Sequence, residues 1–411
     1  MGVGYVLNIR KLSFEEKLVF ITAVSIMLPF YIGAAALIFN FIYILKSKKL
    51  DSLIVGSKEN RWLMGFILYS IVVCFFYKNG LGVLATLGML IFFIYFIYNT
   101  RYLKEELVEK ILTALIFLSA LWFLNTILRA SYIFFLSNEG MDGFLRFISM
   151  NRADSVFFNP NYYGMVGDFM FLIGLDRYMK EKGSQKLIYG MYLLIAAIAV
   201  FLSGSRGAQI ALIFGALYLS VHKRDFETTK ILAFAILIAL GLVIITGNMA
   251  YTRIATITQD MGLRKSIWGS AIRFINKNML IGAGPLGMHA VYDLIKSREV
   301  IHSHNLVLDF LVNFGFIGLL MIYPLFQGIY YRLSTFKNSK LYGLIVAMTI
   351  VILVHGMVDV TIFWHQTAFI YFMLVFSVVG SSEELEFTTI VSPNAEDIPR
   401  KALRYNNNYI K

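Results

Sequence analysis

Long apolar runs recur from one end of the sequence to the other, and they restrict the possible folds more than any other feature. Of the 411 residues, 58% are hydrophobic and 15% are charged, whereas a soluble domain carries about 25% charged residues. A run of roughly 20 apolar residues is long enough to cross a bilayer as a helix. The sequence therefore predicts an all-α fold, a polytopic integral membrane helical bundle.

We predict about twelve transmembrane helices. The first run, 18–45, is too long for one comfortable span and contains Pro29, so we predict a pair of helices, with one long tilted helix as the alternative. Residues 1–380 then form the membrane-embedded domain, and 381–411 form a polar tail. The predicted spans are 18–30, 31–45, 62–77, 80–98, 107–128, 161–176, 187–202, 207–221, 231–247, 304–330, 341–358 and 365–380.

Basic residues set the predicted orientation. With both termini in the cytoplasm, the inner segments and the tail hold 25 of the 37 lysines and arginines, as expected for cytoplasmic loops. Ten others lie in two longer outer segments, 128–160 and 248–303, where the charge rule does not apply. The net charge of +12 is spread over loops, so we predict no nucleic-acid partner.

The first polar motif on the predicted outer face is Ser203-Gly-Ser-Arg206-Gly-Ala208. A helix that begins near Arg206 would offer free amide donors to an anion. Its guanidinium could hold a phosphate through two parallel hydrogen bonds. The alternative is an arginine that reaches lipid headgroups.

The second motif lies in the outer segment 248–303, where Arg264, Lys265, Trp268 and Arg273 follow a helix-like spacing. An amphipathic helix on the membrane surface would explain the pattern. A cationic face with a tryptophan also suits a diphosphate and a sugar ring.

The third motif places His302, His304 and Asn305 at the start of an apolar helix. Histidine is the usual general base for a hydroxyl, and it needs a neighbour that fixes its tautomer. Asn305, His302 and Asp309, one turn further on, are candidates. The two histidines could also bind a metal, but no third or fourth ligand is evident from the spacing. We predict no metal and no cofactor.

The fourth motif is Arg152 followed by Asn159-Pro-Asn161-Tyr162-Tyr-Gly164 at the start of a span. Asparagine and tyrosine commonly contact sugars, although the same pattern also suits a helix start with an aromatic belt. Asp168 would be costly facing lipid, so we expect it inside the bundle, near Arg152 or Arg206. Three further residues are expected to border the same cavity: His355, Asp359 and His365.

The order of these motifs resembles that of the O-antigen ligase and polymerase superfamily, which includes bacterial capsule and exopolysaccharide polymerases. The similarity covers roughly residues 18–380. The motifs that carry it are Asn159-Pro-Asn161-Tyr-Tyr-Gly, Ser205-Arg-Gly-Ala208, Gly282-Ala-Gly and His304-Asn305, followed by Gly315-Phe-Ile-Gly318.

The resemblance implies a GT-C-type membrane glycosyltransferase that uses an undecaprenyl diphosphate-linked oligosaccharide without a metal. Arg206 and Arg264 would hold the donor diphosphate, and His304 would lie at the acceptor hydroxyl. In a family alignment Arg253, Lys265 or Arg273 could replace Arg264, and His302 could replace His304. The resemblance also implies a bacterial inner-membrane protein with its active site on the outer face. Membrane lipids, a flippase and a chain-length regulator are the expected further partners.

These expectations favour a polymerase that transfers the growing glycan to the next lipid-linked repeat unit. The tyrosine-rich segment at 159–164 tilts the choice toward polymerase. A ligase that transfers the finished glycan to a lipid A core or another acceptor is the alternative. A flippase for the lipid-linked unit is the second alternative, although a transporter would place its charges near the membrane midplane.

Overall fold

The computed structural model describes residues 9–47, 57–136, 151–245, 257–293 and 300–386. Within these ranges all regular structure is helical, with no β-strand. The helices are α1 (Phe14–Ser25), α2 (Phe30–Lys46), α3 (Lys58–Phe76), α4 (Gly80–Asn99), α5 (Glu105–Leu136), α6 (Pro160–Lys180), α7 (Gly183–Leu202), α8 (Arg206–His222), α9 (Phe226–Ile245), α10 (Ile257–Lys277), α11 (Gly287–Val291), α12 (Leu306–Thr335), α13 (Tyr342–Gly356) and α14 (His365–Glu386).

The architecture is that of a polytopic membrane protein. Five helices in the described part of the chain are long and apolar enough to cross a bilayer, namely α3, α4, α5, α7 and α12. Shorter apolar helices include α2, α13 and most of α14. The first apolar run forms two helices, α1 and α2, and Pro29 is the N-cap of the second. Twelve spans remain a prediction.

Several predicted boundaries differ from the structure. Helix α5, predicted at 107–128, continues to Leu136, into the first predicted outer segment. The predicted outer loop 248–303 contains two helices in its described part, α10 and α11. The helix predicted to end at residue 380 continues to Glu386. The rest of the predicted tail, 387–411, lies outside the described residues, as do 137–150, 248–256 and 294–299 from the two predicted outer segments.

Helix α6 lies at the centre of the bundle. Every residue from Tyr163 to Asp176 is buried, as expected for a helix that other helices cover on all sides. Glycines allow this close packing. A Cβ on Gly164 would lie 2.9 Å from the Ala208 Cβ, and one on Gly167 would lie 2.6 Å from the Val200 side chain. Helices α7 and α8 therefore approach α6 closely.

Helix α12 is interrupted at Gly315, whose φ of 59° and ψ of −168° are not helical. Four backbone hydrogen bonds of 2.7–3.0 Å join residues 279–284 to residues 312–317 across the break. Since an apolar environment offers no water to backbone groups, the neighbouring segment has to satisfy them. A Cβ on Gly282 would lie 2.6 Å from the Asn313 carbonyl. The glycines of this segment therefore make the break possible.

We expect Gly315→Ala to destabilise the protein. The new Cβ would lie 2.5 Å from the Leu280 oxygen at a positive φ, and such a conformation costs a non-glycine residue about 1–3 kcal/mol even without a clash. The unfolding temperature in detergent should fall clearly. The matched control is Gly88→Ala in α4, where a Cβ meets nothing within 4 Å. Equal unfolding temperatures for the two variants would contradict this account of the break.

Candidate active site

Distant parts of the sequence meet around a cavity of about 420 Å³ at one end of the bundle, a volume within the range of about 300–1,000 Å³ found for small-ligand sites. We call this region the site end. Six of the residues predicted at the site or its border line the cavity: Arg152, Asn161, Arg206, Arg264, His304 and His355. A hollow of equal volume beside Tyr218 and His222 is lined almost entirely by apolar side chains and offers no comparable chemistry.

Arg206 is the first residue of α8, as the sequence predicts. The Ser205 side chain caps this helix by accepting the Ala208 N–H. A Cβ on Gly207 would lie 2.5 Å from the His355 ring, so only glycine lets the two helices meet here. The Arg206 guanidinium forms an ion pair with the Asp260 carboxylate of α10.

A chain of hydrogen bonds crosses the site end from Arg152 to Asp359. The Arg152 Nε donates to the Ser203 carbonyl over 2.9 Å, and its Nη2 donates to the Asn161 Oδ1. The Asn161 amide in turn donates to the Asp359 carboxylate. Asn159 caps α6 and accepts the Asn161 N–H over 2.8 Å. The asparagine motif thus holds Asn161 between a cation and an anion.

Asp359 lies between the two histidines. The His304 Nδ1 is 3.3 Å and the His302 Nε2 is 3.5 Å from the same Asp359 oxygen, and the two imidazole centroids are 4.4 Å apart. His304 has a φ of 54°. A residue other than glycine rarely adopts this backbone conformation unless its surroundings enforce it.

Contacts on both sides hold the histidine segment in place. The Ser303 N–H donates to the Asp309 carboxylate over 2.6 Å, and Trp268 donates its indole N–H to the His304 carbonyl over 3.3 Å. Asn305 caps α12 and donates to the Met357 carbonyl. Asp309 and Asn305 therefore support the backbone around His304.

Asp359 and His302 favour each other's ionised forms. Burial raises the pKa of the Asp359 carboxyl, but hydrogen bonds from His302 and His304 and their positive charge outweigh it and hold the pKa well below its usual range. Burial lowers the pKa of His302, yet the hydrogen bond and charge of Asp359 raise it above its ordinary value. A buried carboxylate facing two imidazoles is a common arrangement for orienting a general base.

His302, His304 and Asp359 could also offer one ligand atom each to a metal ion, since these atoms lie within 4.8 Å of one another. The sequence spacing predicts only two of these ligands, the two histidines. Both residue types, histidine and aspartate, occur in zinc sites. However, the His302 Nε2 and the His304 Nδ1 both lie within 3.5 Å of the Asp359 carboxylate. The same atoms therefore also fit a hydrogen-bonded cluster without a metal. Metal independence stays a prediction.

Helix α10 presents one face to the cavity. Asp260, Arg264 and Trp268 follow at intervals of four residues, which places them on one side of a helix. Asp260 contacts Arg206, Arg264 lines the cavity, and Trp268 contacts His304. This face therefore extends over the cavity from the arginines to the histidine.

Several predicted residues lie elsewhere. Arg273 is exposed and donates to Ser270 of its own helix. Tyr162 stacks on Trp364, with ring centroids 4.7 Å apart. Asp168 is fully buried in α6, and its carboxylate oxygens make no hydrogen bond to any described residue. The expected pairing of Asp168 with Arg152 or Arg206 is therefore not found.

Sequence reasoning missed Asp260 and gave Asp359 only a bordering position. Asp260 lies one helical turn before Arg264, and that spacing was a usable signal. His365 packs against Phe30 and Trp364 and does not line the cavity. Arg253, an alternative to Arg264, lies outside the described residues.

We expect protein stability to depend on the pH through His302. Because its folded-state pKa is raised, its contribution is complete below the ordinary value of about 6.5 and is lost as the pH rises through the raised pKa. The unfolding temperature in detergent should fall as the pH rises above about 6.5. Asp359→Asn should abolish this fall, whereas the control His289→Gln should retain it. An unchanged pH profile in Asp359→Asn would exclude the proposed pairing.

Residues 191–323 match a family model described as O-antigen ligase. The matched range covers about a third of the chain and contains Arg206, Arg264 and His304. Arg152, Asn161 and Asp359 lie outside it and join the cluster only in the folded structure. No curated protein is similar enough in sequence to this chain to count as a relative.

Proposed function

We propose that this chain, whose match over residues 191–323 supports membership of the O-antigen ligase and polymerase superfamily, is a surface-polysaccharide polymerase. It would transfer a glycan from its undecaprenyl diphosphate carrier to the non-reducing-end hydroxyl of another lipid-linked repeat unit. The observation that carries the proposal is the shared cavity, in which Arg206 and Arg264 lie together with His304.

The arginines would hold the donor diphosphate. As the glycosidic C–O bond breaks, negative charge accumulates on the departing diphosphate, and fixed cations in a cavity stabilise that charge without having to reorganise. Arg206 adds its guanidinium at the N-terminus of α8, where free amide groups also favour an anion. Arg264 approaches from α10.

His304 would act as the general base. With Nδ1–H donated to Asp359, the imidazole keeps a lone pair on Nε2 for the acceptor hydroxyl. The hydroxyl proton would move to Nε2 as the oxygen forms its bond to the anomeric carbon. Asp359 orients the ring and stabilises the imidazolium that results. His302 and Asn161 share the same carboxylate and limit its movement.

The site end would lie on the outer face of the bacterial inner membrane. The distribution of lysine and arginine in the sequence supports this orientation. A substrate with a charged head and a long lipid tail would enter laterally from the bilayer. Membrane lipids would surround the bundle, and a flippase would deliver the lipid-linked unit. A chain-length regulator is a further proposed partner.

Two other functions use the same cavity differently. A ligase would use the same donor chemistry but would transfer the finished glycan to another acceptor. The segment 159–164 favours a polymerase only if its side chains contact sugars. In the structure, Asn159 is a helix cap and Tyr162 packs on Trp364. The ligase therefore remains the principal alternative. For a flippase, the location of the charged cluster at one end of the bundle is less suitable than a midplane site.

We expect His304→Ala to reduce transfer by about a hundredfold or more, because it removes the general base. In cells that carry the variant, a gel of lipid-linked glycans should collapse to a single repeat unit. The matched control is Arg273→Ala, which removes a predicted cation that lies outside the cavity lining and should preserve the ladder.

Other outcomes of this experiment identify the alternatives. Long chains that persist on the lipid carrier without reaching their acceptor would show a ligase. Loss of outward translocation of the lipid-linked unit would show a flippase. An intact ladder in His304→Ala, with the protein present in the membrane, would overturn the assigned role of His304.

We expect transfer by the purified protein to continue at the same rate after treatment with a metal chelator. The arginines supply the positive charge that a metal would otherwise contribute. The matched sample is chelated protein to which zinc is added back. Loss of activity on chelation and recovery with zinc would instead show that His302, His304 and Asp359 hold a catalytic metal.

A further inference from the structure

The guanidinium proposed to hold the donor diphosphate is already bound to an anion within the protein. Arg206 forms its ion pair with Asp260 in the first turn of α10. Both side chains are partly accessible, with exposed fractions of 21% and 29%. The pair therefore borders the cavity, where an incoming anion can reach it. Asp260 occupies a position on Arg206 that a phosphate oxygen would take.

Asp260 also shares a helical face with the other cavity residues of α10. Arg264 follows it by one turn, and Trp268 follows by two. A ligand that binds Arg206 and Arg264 together must therefore contact the side of α10 that carries Asp260. Its negative charge would repel such a ligand unless the carboxylate moves away from Arg206.

A cationic cavity next to a bilayer attracts many anions. Guanidinium groups bind phosphate esters readily, and phospholipid headgroups would be far more abundant than a lipid-linked sugar. Three arginines line the cavity, so without an internal anion a singly charged phospholipid phosphate could occupy it. Selection among phosphates is therefore part of the task of this site.

We propose that Asp260 is a specificity-determining residue that keeps singly charged lipid phosphates off Arg206 and yields to the donor diphosphate. Replacing one monoanion on Arg206 with another gains little electrostatic energy, since one ion pair is broken for each one formed. A diphosphate carries additional negative charge and can engage Arg206 and Arg264 together. It therefore displaces Asp260, whereas a single phosphate does not. This inference rests on the function proposed above.

The test uses the purified full-length chain and its Asp260→Asn variant, in which the shape of the side chain is kept and its charge is removed. Each is reconstituted into phosphatidylcholine vesicles and into vesicles of phosphatidylcholine and phosphatidylglycerol. The first readout is the binding of inorganic pyrophosphate, which needs no turnover. The second is the rate of glycan transfer. The matched control is Glu227→Gln, an acidic residue in the first turn of α9 that pairs with Lys230 at the surface.

In phosphatidylcholine, Asp260→Asn should bind pyrophosphate about three- to tenfold more tightly than the unmodified protein, because the charge of Asp260 no longer competes for Arg206. Phosphatidylglycerol should weaken pyrophosphate binding to Asp260→Asn and slow its transfer by a similar factor. The unmodified protein and Glu227→Gln should change little with lipid composition.

Two results would overturn the inference. One is equal sensitivity to phosphatidylglycerol in Asp260→Asn and the unmodified protein. The other is weaker pyrophosphate binding by Asp260→Asn in both lipids, which would mean that Asp260 only positions α10 or Arg206. Failure of the proposed function is distinguishable, because the unmodified protein would then show no glycan transfer, whereas the pyrophosphate readout does not depend on transfer.

Discussion

The interruption of α12 inside an apolar bundle is the constraint on which the site depends. A helix that breaks among apolar side chains leaves backbone groups that water cannot reach, and the segment 279–284 satisfies them by pairing with 312–317. The Tyr69 hydroxyl lies within hydrogen-bond distance of the Ile281 and Phe314 carbonyls, at 2.6 and 2.8 Å. The Asn79 amide donates to the Ala283 and Pro285 carbonyls. These contacts fix the first turns of α12, and Asp309 in those turns then holds the backbone of Ser303, next to His304.

A buried carboxylate is the second element that unites the site. Asp359 is only 2% exposed, and removing an isolated charge from water to this extent is costly unless partners compensate for it. Asn161 and the two histidines supply that compensation from different parts of the chain. Because Asn161 also binds Arg152, the same network joins the start of α6 to the turn before α8, where the Arg152 Nε donates to Ser203. The position of His304 is thus coupled to the region that supplies Arg206.

The sequence predicts the local parts of this arrangement and not the contacts between distant ones. Apolar runs locate the helices, and the motifs at Arg206 and Asn305 lie at two predicted helix starts, where the structure shows Ser205 and Asn305 as caps. Helical periodicity also separates two arginines of α10. Arg264 and Arg273 are nine residues apart, which places them on nearly opposite sides of a helix. Of the two, only Arg264 lines the cavity. The pairs Arg206–Asp260 and His304–Asp359 are separated by 54 and 55 residues, and no periodicity connects them. The glycines at 282, 284 and 315 stood out as a motif, yet their structural role depends on a backbone pairing that local pattern does not encode.

Helix α10 connects the two halves of the proposed chemistry. At one end its Asp260 binds Arg206, and two turns later its Trp268 binds the carbonyl of His304, a residue held at a positive φ. A ligand whose phosphates bind Arg264 would act on the same helix that contacts the His304 carbonyl through Trp268. The body of α10 is itself anchored, because Ile267, Ala271 and Phe274 pack with Val312 of α12. In the proposed function, binding of the donor and alignment of His304 would therefore both depend on the position of this one helix. An amphipathic segment with the composition of a membrane-surface helix thus covers part of its apolar face with protein.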